Sequence, residues 1–146
     1  MALIKEVEGY KISHAWLGHY SCLFLELGNL TEGKPRKDGS TGNSFGEITV
    51  CLNFCWRIEK KKSIYIGTGE SVKRLENAIK ELINSTIVSV QTVGRLSELQ
   101  IELSNSLWLT TFERYSGQPS WSIHFKYPEE KIIEIKAGKP SVKNIS

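Results

Sequence analysis

The 146-residue chain lacks the features that mark several large classes of protein. It holds no apolar run near the ~20 residues that a membrane-spanning helix needs, so we expect no membrane partner. Its first residues lack a basic segment followed by a long apolar core, so we expect no secretory signal. These two absences together predict a cytoplasmic protein.

Cysteine is scarce, and the three cysteines, Cys22, Cys51 and Cys55, match no disulfide framework because their number is odd. Cys51 and Cys55 have the spacing of a metal-binding pair, but residues four apart on a strand lie about 13 Å from each other. That distance is too long for the two thiolates to bind the same zinc ion, because each Zn–S bond is only about 2.3 Å long. We therefore predict free thiols, no metal site and no cofactor.

Local signatures of catalysis are also missing. The three histidines, His14, His19 and His124, form no spaced cluster with a carboxylate or a cysteine. The chain holds no Gly-x-Ser-x-Gly motif, and its Gly67-Thr68-Gly69 turn lacks the third glycine of a dinucleotide-binding fingerprint. We therefore predict no catalytic residues, although a small hydrolase whose site assembles from distant residues stays an alternative.

The clearest pattern that is present is an alternation of apolar and polar residues from Glu47 to Glu59. The apolar positions are Ile48, Val50, Leu52, Phe54, Trp56 and Ile58. Successive side chains of a strand point to opposite faces, so this segment has one apolar and one polar face. It predicts one long strand at the centre of an antiparallel sheet with one buried and one solvated face.

The remaining segments predict further short strands and one helix. Apolar residues recur at spacings of three and four from Val72 to Ile83, and Ser71 is a suitable N-cap. We predict an α+β fold in which a twisted antiparallel sheet of about six to seven strands packs on one main helix, residues about 71–84. A β-sandwich with an appended helix is the alternative.

Composition predicts a single folded domain. Hydrophobic residues make up 40% and charged residues 24% of the chain, as in globular proteins. We assign residues 1–135 to this domain and residues 136–146, which are polar and rich in lysine, to a C-terminal tail. The 29–45 segment is a long basic loop, and loops of that length are usually functional or mobile. It is therefore a second candidate for partner binding.

Charge and aromatic content bear on nucleic acid binding. The net charge of +3 is too small to indicate a nucleic acid partner. Trp56, Trp108 and Trp121 fall in the apolar register of strands, so we predict that they lie in the core. If they instead lined an open cup on the curved sheet, the protein would bind a small ligand or single-stranded nucleic acid.

Five polar residues are the candidate partner-binding set. Asn53, Arg57 and Glu59 project from the polar face of the long predicted strand. Arg95 and Glu98 lie in a polar hinge between two strands. A sheet face that the helix leaves uncovered is a natural docking surface, so we expect these residues to contact a protein partner.

Three stretches carry a family resemblance within about residues 20–126. They are Trp56-Arg57-Ile58-Glu59, Gly94-Arg95-Leu96-Ser97-Glu98-Leu99 and Gly117-Gln118-Pro119-Ser120-Trp121. The chain resembles a group of uncharacterised small bacterial proteins in which a Trp-Arg-hydrophobic-Glu strand precedes a helix and a tryptophan closes the last hairpin. Such proteins are similar in style to the immunity proteins of bacterial toxin systems. The resemblance implies a non-catalytic domain that binds and neutralises a toxin domain, and it supplies no catalytic residue.

Overall fold

The structure, a computed structural model, describes residues 2–145 and places eleven strands and one α-helix in them. The strands are β1 (Ile12–Leu17), β2 (Leu23–Leu27), β3 (Ile48–Leu52), β4 (Trp56–Lys60), β5 (Ser63–Gly67), β6 (Ile87–Val93), β7 (Glu98–Leu103), β8 (Trp108–Thr111), β9 (Pro119–Phe125), β10 (Lys131–Lys136) and β11 (Lys139–Asn144). The α-helix, α1, is Val72–Ile79. Short 3₁₀ segments cover Ala2–Val7, His19–Ser21 and Lys80–Leu82.

The strands form two antiparallel sheets. One has six strands in the order β1-β2-β3-β9-β10-β11, and the other has five in the order β5-β4-β8-β7-β6. The inward side chains of both sheets belong to one hydrophobic cluster. Its members include Leu25, Val50, Ile123 and Ile133 from the six-stranded sheet and Trp56, Ile58, Ile101 and Leu109 from the five-stranded sheet.

The predicted antiparallel sheet is confirmed, but the predicted strand count and the place of the helix are wrong. Eleven strands lie in two sheets, which is nearer to the sandwich alternative than to one sheet of six or seven strands on a main helix. The α1 helix lies against β1 and β5, and buries only Leu75, Ala78 and Ile79. The core is therefore built by sheet on sheet, with the helix at its side.

The predicted long strand is divided between the sheets. β3 ends at Leu52 and β4 begins at Trp56, and the chain bends between them at Cys55, where φ is 90°. Leu52 and Trp56 both lie in the core, one in each sheet. The alternation therefore predicted the buried residues of β3 and β4 correctly, but it was wrong at the bend, where Phe54 is partly exposed and Cys55 is buried.

The helix begins where it was predicted to begin. The Ser71 hydroxyl oxygen accepts a hydrogen bond from the Arg74 amide at 3.3 Å, which caps the first turn. The regular helix is shorter than residues 71–84, since it tightens into the 3₁₀ segment Lys80–Leu82. Leu82 is buried and extends the apolar stripe by one turn.

The two segments predicted to be loop and tail have regular backbone contacts. In the 29–45 loop, isolated bridges join Thr31 to Phe45 and Pro35 to Thr41, so the segment folds as a narrow hairpin. Within residues 136–146, β11 pairs along β10 as an exposed edge strand. Among the described residues no helix combines the length and the apolarity that crossing a bilayer requires.

Candidate functional site

A cleft of about 510 Å³ opens at the end of the molecule where β2 begins and β3 ends. Its lining comes from three segments that are far apart in sequence. The lining residues are His19, Tyr20, Ser21, Cys22, Asn53, Phe54, Glu113, Tyr115 and Gln118. Aromatic rings therefore alternate with amide, carboxylate and thiol groups around one opening.

Two tyrosines stand at the mouth of this cleft. Tyr20 is 90% exposed and Tyr115 is 57% exposed, although large aromatic side chains gain free energy on burial. Phe54, which connects β3 to β4, supplies a third ring to the lining. The cleft therefore carries aromatic surface that the fold itself leaves available.

Among the described residues, three of the seven positive φ angles that residues other than glycine adopt lie at the same end. Tyr20, Ser21 and Cys55 have φ of 55°, 58° and 90°, in the left-handed region that side chains other than glycine rarely adopt. The Ser21 carbonyl accepts a hydrogen bond from the Trp56 indole nitrogen at 2.7 Å, which ties this turn to the buried start of β4. Backbone strain of this kind is concentrated at functional sites in many proteins.

Asn53, a predicted binding residue, lies in the floor of the cleft. Its amide nitrogen donates to the Pro119 carbonyl, and its side-chain oxygen accepts from the Cys22 thiol at 3.2 Å. Asn53 thus links β3, β9 and the segment before β2. Its polar groups are largely used within the fold.

Arg57 and Glu59, two further predicted residues, face outward from β4. Their side chains form an ion pair with 2.6 Å between Arg57 Nε and Glu59 Oε2. The Arg57 guanidinium also lies 5.4 Å from the centre of the Phe112 ring, within the range of a cation–π contact. This pair therefore lies on the outer face of the five-stranded sheet, as the alternation predicted.

Glu98 and Arg95 have different roles in the structure. Glu98 accepts hydrogen bonds from the Thr111 hydroxyl and the Glu113 amide, each at 2.7 Å, so its carboxylate fixes the end of β8. Arg95 lies exposed in the turn between β6 and β7. Among the predicted residues, Glu98 is the most clearly structural.

The β8–β9 loop, residues 112–118, connects these positions. Phe112 contacts Arg57, the Glu113 amide binds Glu98, and Glu113 and Tyr115 line the cleft that contains Asn53. Three of the five predicted residues, Asn53, Arg57 and Glu98, therefore border one loop. Sequence reasoning missed this loop, because its residues, together with Tyr20 and Phe54, meet only through the fold.

The histidines do not form a catalytic arrangement. The His14 ring lies 3.1 Å from Asn43, and His124 pairs with Glu130 at 2.7 Å on the surface. His19 lines the cleft with Cys22 and Glu113, but among residues 2–145 no hydrogen bond joins its ring to either. Cys22 instead contacts Cys51 and Asn53.

The tryptophans and acidic residues bear on two other predictions. Trp56 and Trp121 are fully buried, whereas Trp108 is half-buried and pairs with Glu59 across the outward register of β4 and β8. An open cup lined by all three tryptophans is therefore not formed. Within the described part of the chain, no group of three or more histidine, cysteine or acidic side chains is placed to hold a metal ion.

Comparison of the chain with protein-family models, with curated proteins and with solved structures finds no match in any of the three.

Proposed function

We propose that this chain is a non-catalytic, cytoplasmic protein-binding domain, in its most specific form a bacterial immunity protein that neutralises a toxin domain. The observation that carries the proposal is the concentration of exposed aromatic and arginine side chains around the β8–β9 loop. Tyr20, Tyr115, Phe112 and Arg57 belong to this group. Tyrosine, tryptophan and arginine are the residues that most often dominate the binding energy of protein interfaces.

The chain exposes enough surface for a standard protein interface. A standard interface buries about 800 Å² on each partner, roughly a tenth of the 8486 Å² that this chain exposes. Glu113 lies between the cleft and a smaller hollow of about 290 Å³ that Leu96 and Glu98 line. An apolar side chain of the partner would occupy the cleft, and Arg57, which contacts Phe112, would lie within the contact area beside the β8–β9 loop.

The test is affinity capture from the source cell, followed by calorimetry with the purified partner. Tyr115→Ala and Arg57→Ala should each weaken binding by at least about 2 kcal/mol, as hot-spot residues do. Tyr127→Ala is the matched control, because Tyr127 is a 70% exposed tyrosine that follows β9 at the end away from the β8–β9 loop. Unchanged affinity in both test variants would remove the proposed surface.

The immunity form of the proposal has its own experiment. The captured partner should arrest growth when it is expressed alone, and co-expression of this chain should restore growth. Tyr115→Ala should reduce the rescue, whereas Tyr127→Ala should leave it intact. A captured partner that is harmless to the cell would leave protein binding standing and overturn toxin neutralisation.

A small-ligand binding module is the second candidate. The observation that favours it is the cleft volume of about 510 Å³, which falls within the range of small-molecule sites and has aromatic walls with a few polar groups. A ligand in this cleft should shift the NMR signals of Tyr20 and Tyr115 and leave those of Tyr127 unchanged. Ligands that shift Tyr127 equally would count against the cleft. Binding of single-stranded nucleic acid is less well supported, because Trp56 and Trp121 are buried and are not accessible for stacking on bases.

A further inference from the structure

Cys22 and Cys51 lie together beside the cleft. Cys22 directly precedes β2, Cys51 belongs to β3, and the two strands are antiparallel neighbours with Leu23 opposite Leu52. The cysteines therefore project from the same face of the sheet. Their sulfur atoms are 2.9 Å apart, and both are free thiols. A disulfide bond, at about 2.05 Å, would need the sulfurs to approach by only about 0.9 Å.

We propose that Cys22 and Cys51 are a redox-active thiol pair, in which a peroxide oxidises Cys22 and Cys51 then closes an intramolecular disulfide. The order of attack follows from position relative to the cleft and not from overall exposure, since Cys22 is buried and Cys51 is half-buried. Cys22 lines the cleft, whereas Cys51 lies outside the lining. A small oxidant that enters the cleft therefore meets the Cys22 sulfur first.

The chemistry of the pair supports the same order. A hydrogen bond from Cys51 lowers the pKa of Cys22 against the opposing effect of burial, which favours the nucleophilic thiolate. The same hydrogen bond, together with burial, raises the pKa of Cys51. Cys22 is thus the attacking sulfur, and Cys51 holds its proton until the second step.

Both steps balance. The Cys22 thiolate attacks one peroxide oxygen, the O–O bond breaks, and the leaving oxygen is protonated to water, so that Cys22 becomes a sulfenic acid. The Cys51 sulfur then attacks the Cys22 sulfur as its proton is lost, and the S–O bond breaks. The departing hydroxide takes that proton and leaves as the second water. The two thiols together lose two hydrogen atoms, and hydrogen peroxide is reduced to two waters.

Closing the disulfide would change the floor of the cleft. The Cys22 thiol is the donor that Asn53 binds at 3.2 Å, and a disulfide has no proton to donate. Cys55 provides an internal reference, because it is 3% exposed and burial is the largest cause that raises its pKa. It should stay reduced under conditions that oxidise the pair.

The test is treatment of the reduced, folded chain with hydrogen peroxide, followed by intact mass and peptide mapping. The chain should lose the mass of two hydrogens, and its free thiols, counted after unfolding, should fall from three to one. A reductant should restore all three. Addition of oxygen atoms without a crosslink, or disulfides only between two molecules, would overturn the proposal.

Variants identify the partners in the bond. No lysine or arginine separates Cys51 from Cys55, so a tryptic map of the native sequence does not distinguish them. Cys55→Ser should therefore still lose two hydrogens and give a crosslink between the peptides of Cys22 and Cys51. Cys22→Ser and Cys51→Ser should each form no intramolecular crosslink. A crosslink that survives in Cys51→Ser would assign the reaction to Cys55 and refute the pair.

Discussion

Two acidic residues, one on the outer face of each sheet, differ in how far solvent reaches them. On the six-stranded sheet, Glu26 is fully buried because the hairpin formed by the 29–45 loop and its flanking residues lies over it. On the five-stranded sheet, the Arg57–Glu59 pair stays in contact with solvent, with its side chains 36% and 20% exposed. The same alternation of residue types in sequence thus gives a structural carboxylate on one sheet and an accessible ion pair on the other.

The network around Glu26 explains why a buried carboxylate is tolerated. Its oxygens accept hydrogen bonds from the Trp16 indole at 2.9 Å, the Thr49 hydroxyl at 2.5 Å and the Gly46 amide at 3.1 Å. The Lys126 ammonium lies 3.9 Å away and balances the charge. Glu26 therefore joins β1, β2, β3 and the covering hairpin, whereas Glu59 pairs only with its own strand. The surface around Glu26 is consequently closed to a partner, whereas the Arg57–Glu59 pair and the cleft are accessible.

The largest effect expected from this comparison belongs to Glu26→Ala. The substitution leaves three donors without their acceptor and removes the charge that faces the partly buried Lys126 ammonium, so it should lower the free energy of unfolding by about 3–5 kcal/mol. Urea unfolding followed by tryptophan fluorescence measures the change. Glu26→Gln, which keeps the shape and one acceptor oxygen, should cost less than the alanine variant. A loss below about 1 kcal/mol for Glu26→Ala would mean that the covered face is no more structural than the open one.

The next effect concerns the hairpin that covers the six-stranded sheet. A Cβ atom at Gly46 would lie 2.5 Å from the Leu27 amide nitrogen, closer than atoms can approach. Gly46→Ala must therefore push the hairpin away from β2, and we expect a loss of about 1–3 kcal/mol.

Gly117→Ala is the control for Gly46→Ala. A Cβ atom at Gly117, in the β8–β9 loop, would meet nothing within 4 Å. Its unfolding free energy in urea should therefore stay within about 0.5 kcal/mol of the native value. Equal losses at both glycines would show that the cover is not held tightly against the sheet.

A smaller effect is expected from the open face. Glu59→Ala breaks an ion pair that water already screens, so the unfolding free energy should fall by no more than about 1 kcal/mol. The melting temperature in low and high salt measures this, and added salt should reduce the difference from the native chain. A loss as large as that of Glu26→Ala would make the Arg57–Glu59 pair structural and would weaken its assignment to partner binding.

The sequence predicts burial within a single strand, but it does not predict contacts between segments that are distant in the chain. Alternation predicted correctly that Leu25 and Ile58 are inward and that Arg57 is outward. It could not separate Glu26 from Glu59, because the difference comes from a hairpin that folds back from elsewhere in the chain. Neither could it reveal the bend at Cys55, where a residue other than glycine adopts a positive φ.

The cleft and the last strand were missed for related reasons. Tyr20, Phe54 and Tyr115 belong to three connections, and no periodicity links residues that meet only in the folded chain. β11 is polar and wholly exposed, so it carries no apolar signal, and its turn from β10 uses Ala137 at φ 52° beside Gly138. Local patterns predict which side of a strand is buried, and they leave the assembly of loops undetermined.

The smallest effect is expected at Thr110, which lies opposite Arg57 on the outer face of the five-stranded sheet but is itself buried. Its hydroxyl oxygen is buried and has no hydrogen-bond partner among the described residues, so it contributes the cost of desolvation without a compensating bond. Thr110→Val should therefore leave the unfolding free energy unchanged or slightly raised.

The neighbouring residue supplies the matched control for Thr110→Val. The Thr111 hydroxyl donates to Glu98 at 2.7 Å and accepts from the Leu99 amide at 2.9 Å, so Thr111→Val should cost about 1–3 kcal/mol in the same urea titration. If Thr110→Val were the more damaging of the two, its hydroxyl would have a partner, and this part of the face would be held as tightly as the network around Glu26. The open character of the five-stranded sheet, on which the proposed interface depends, would then be in question.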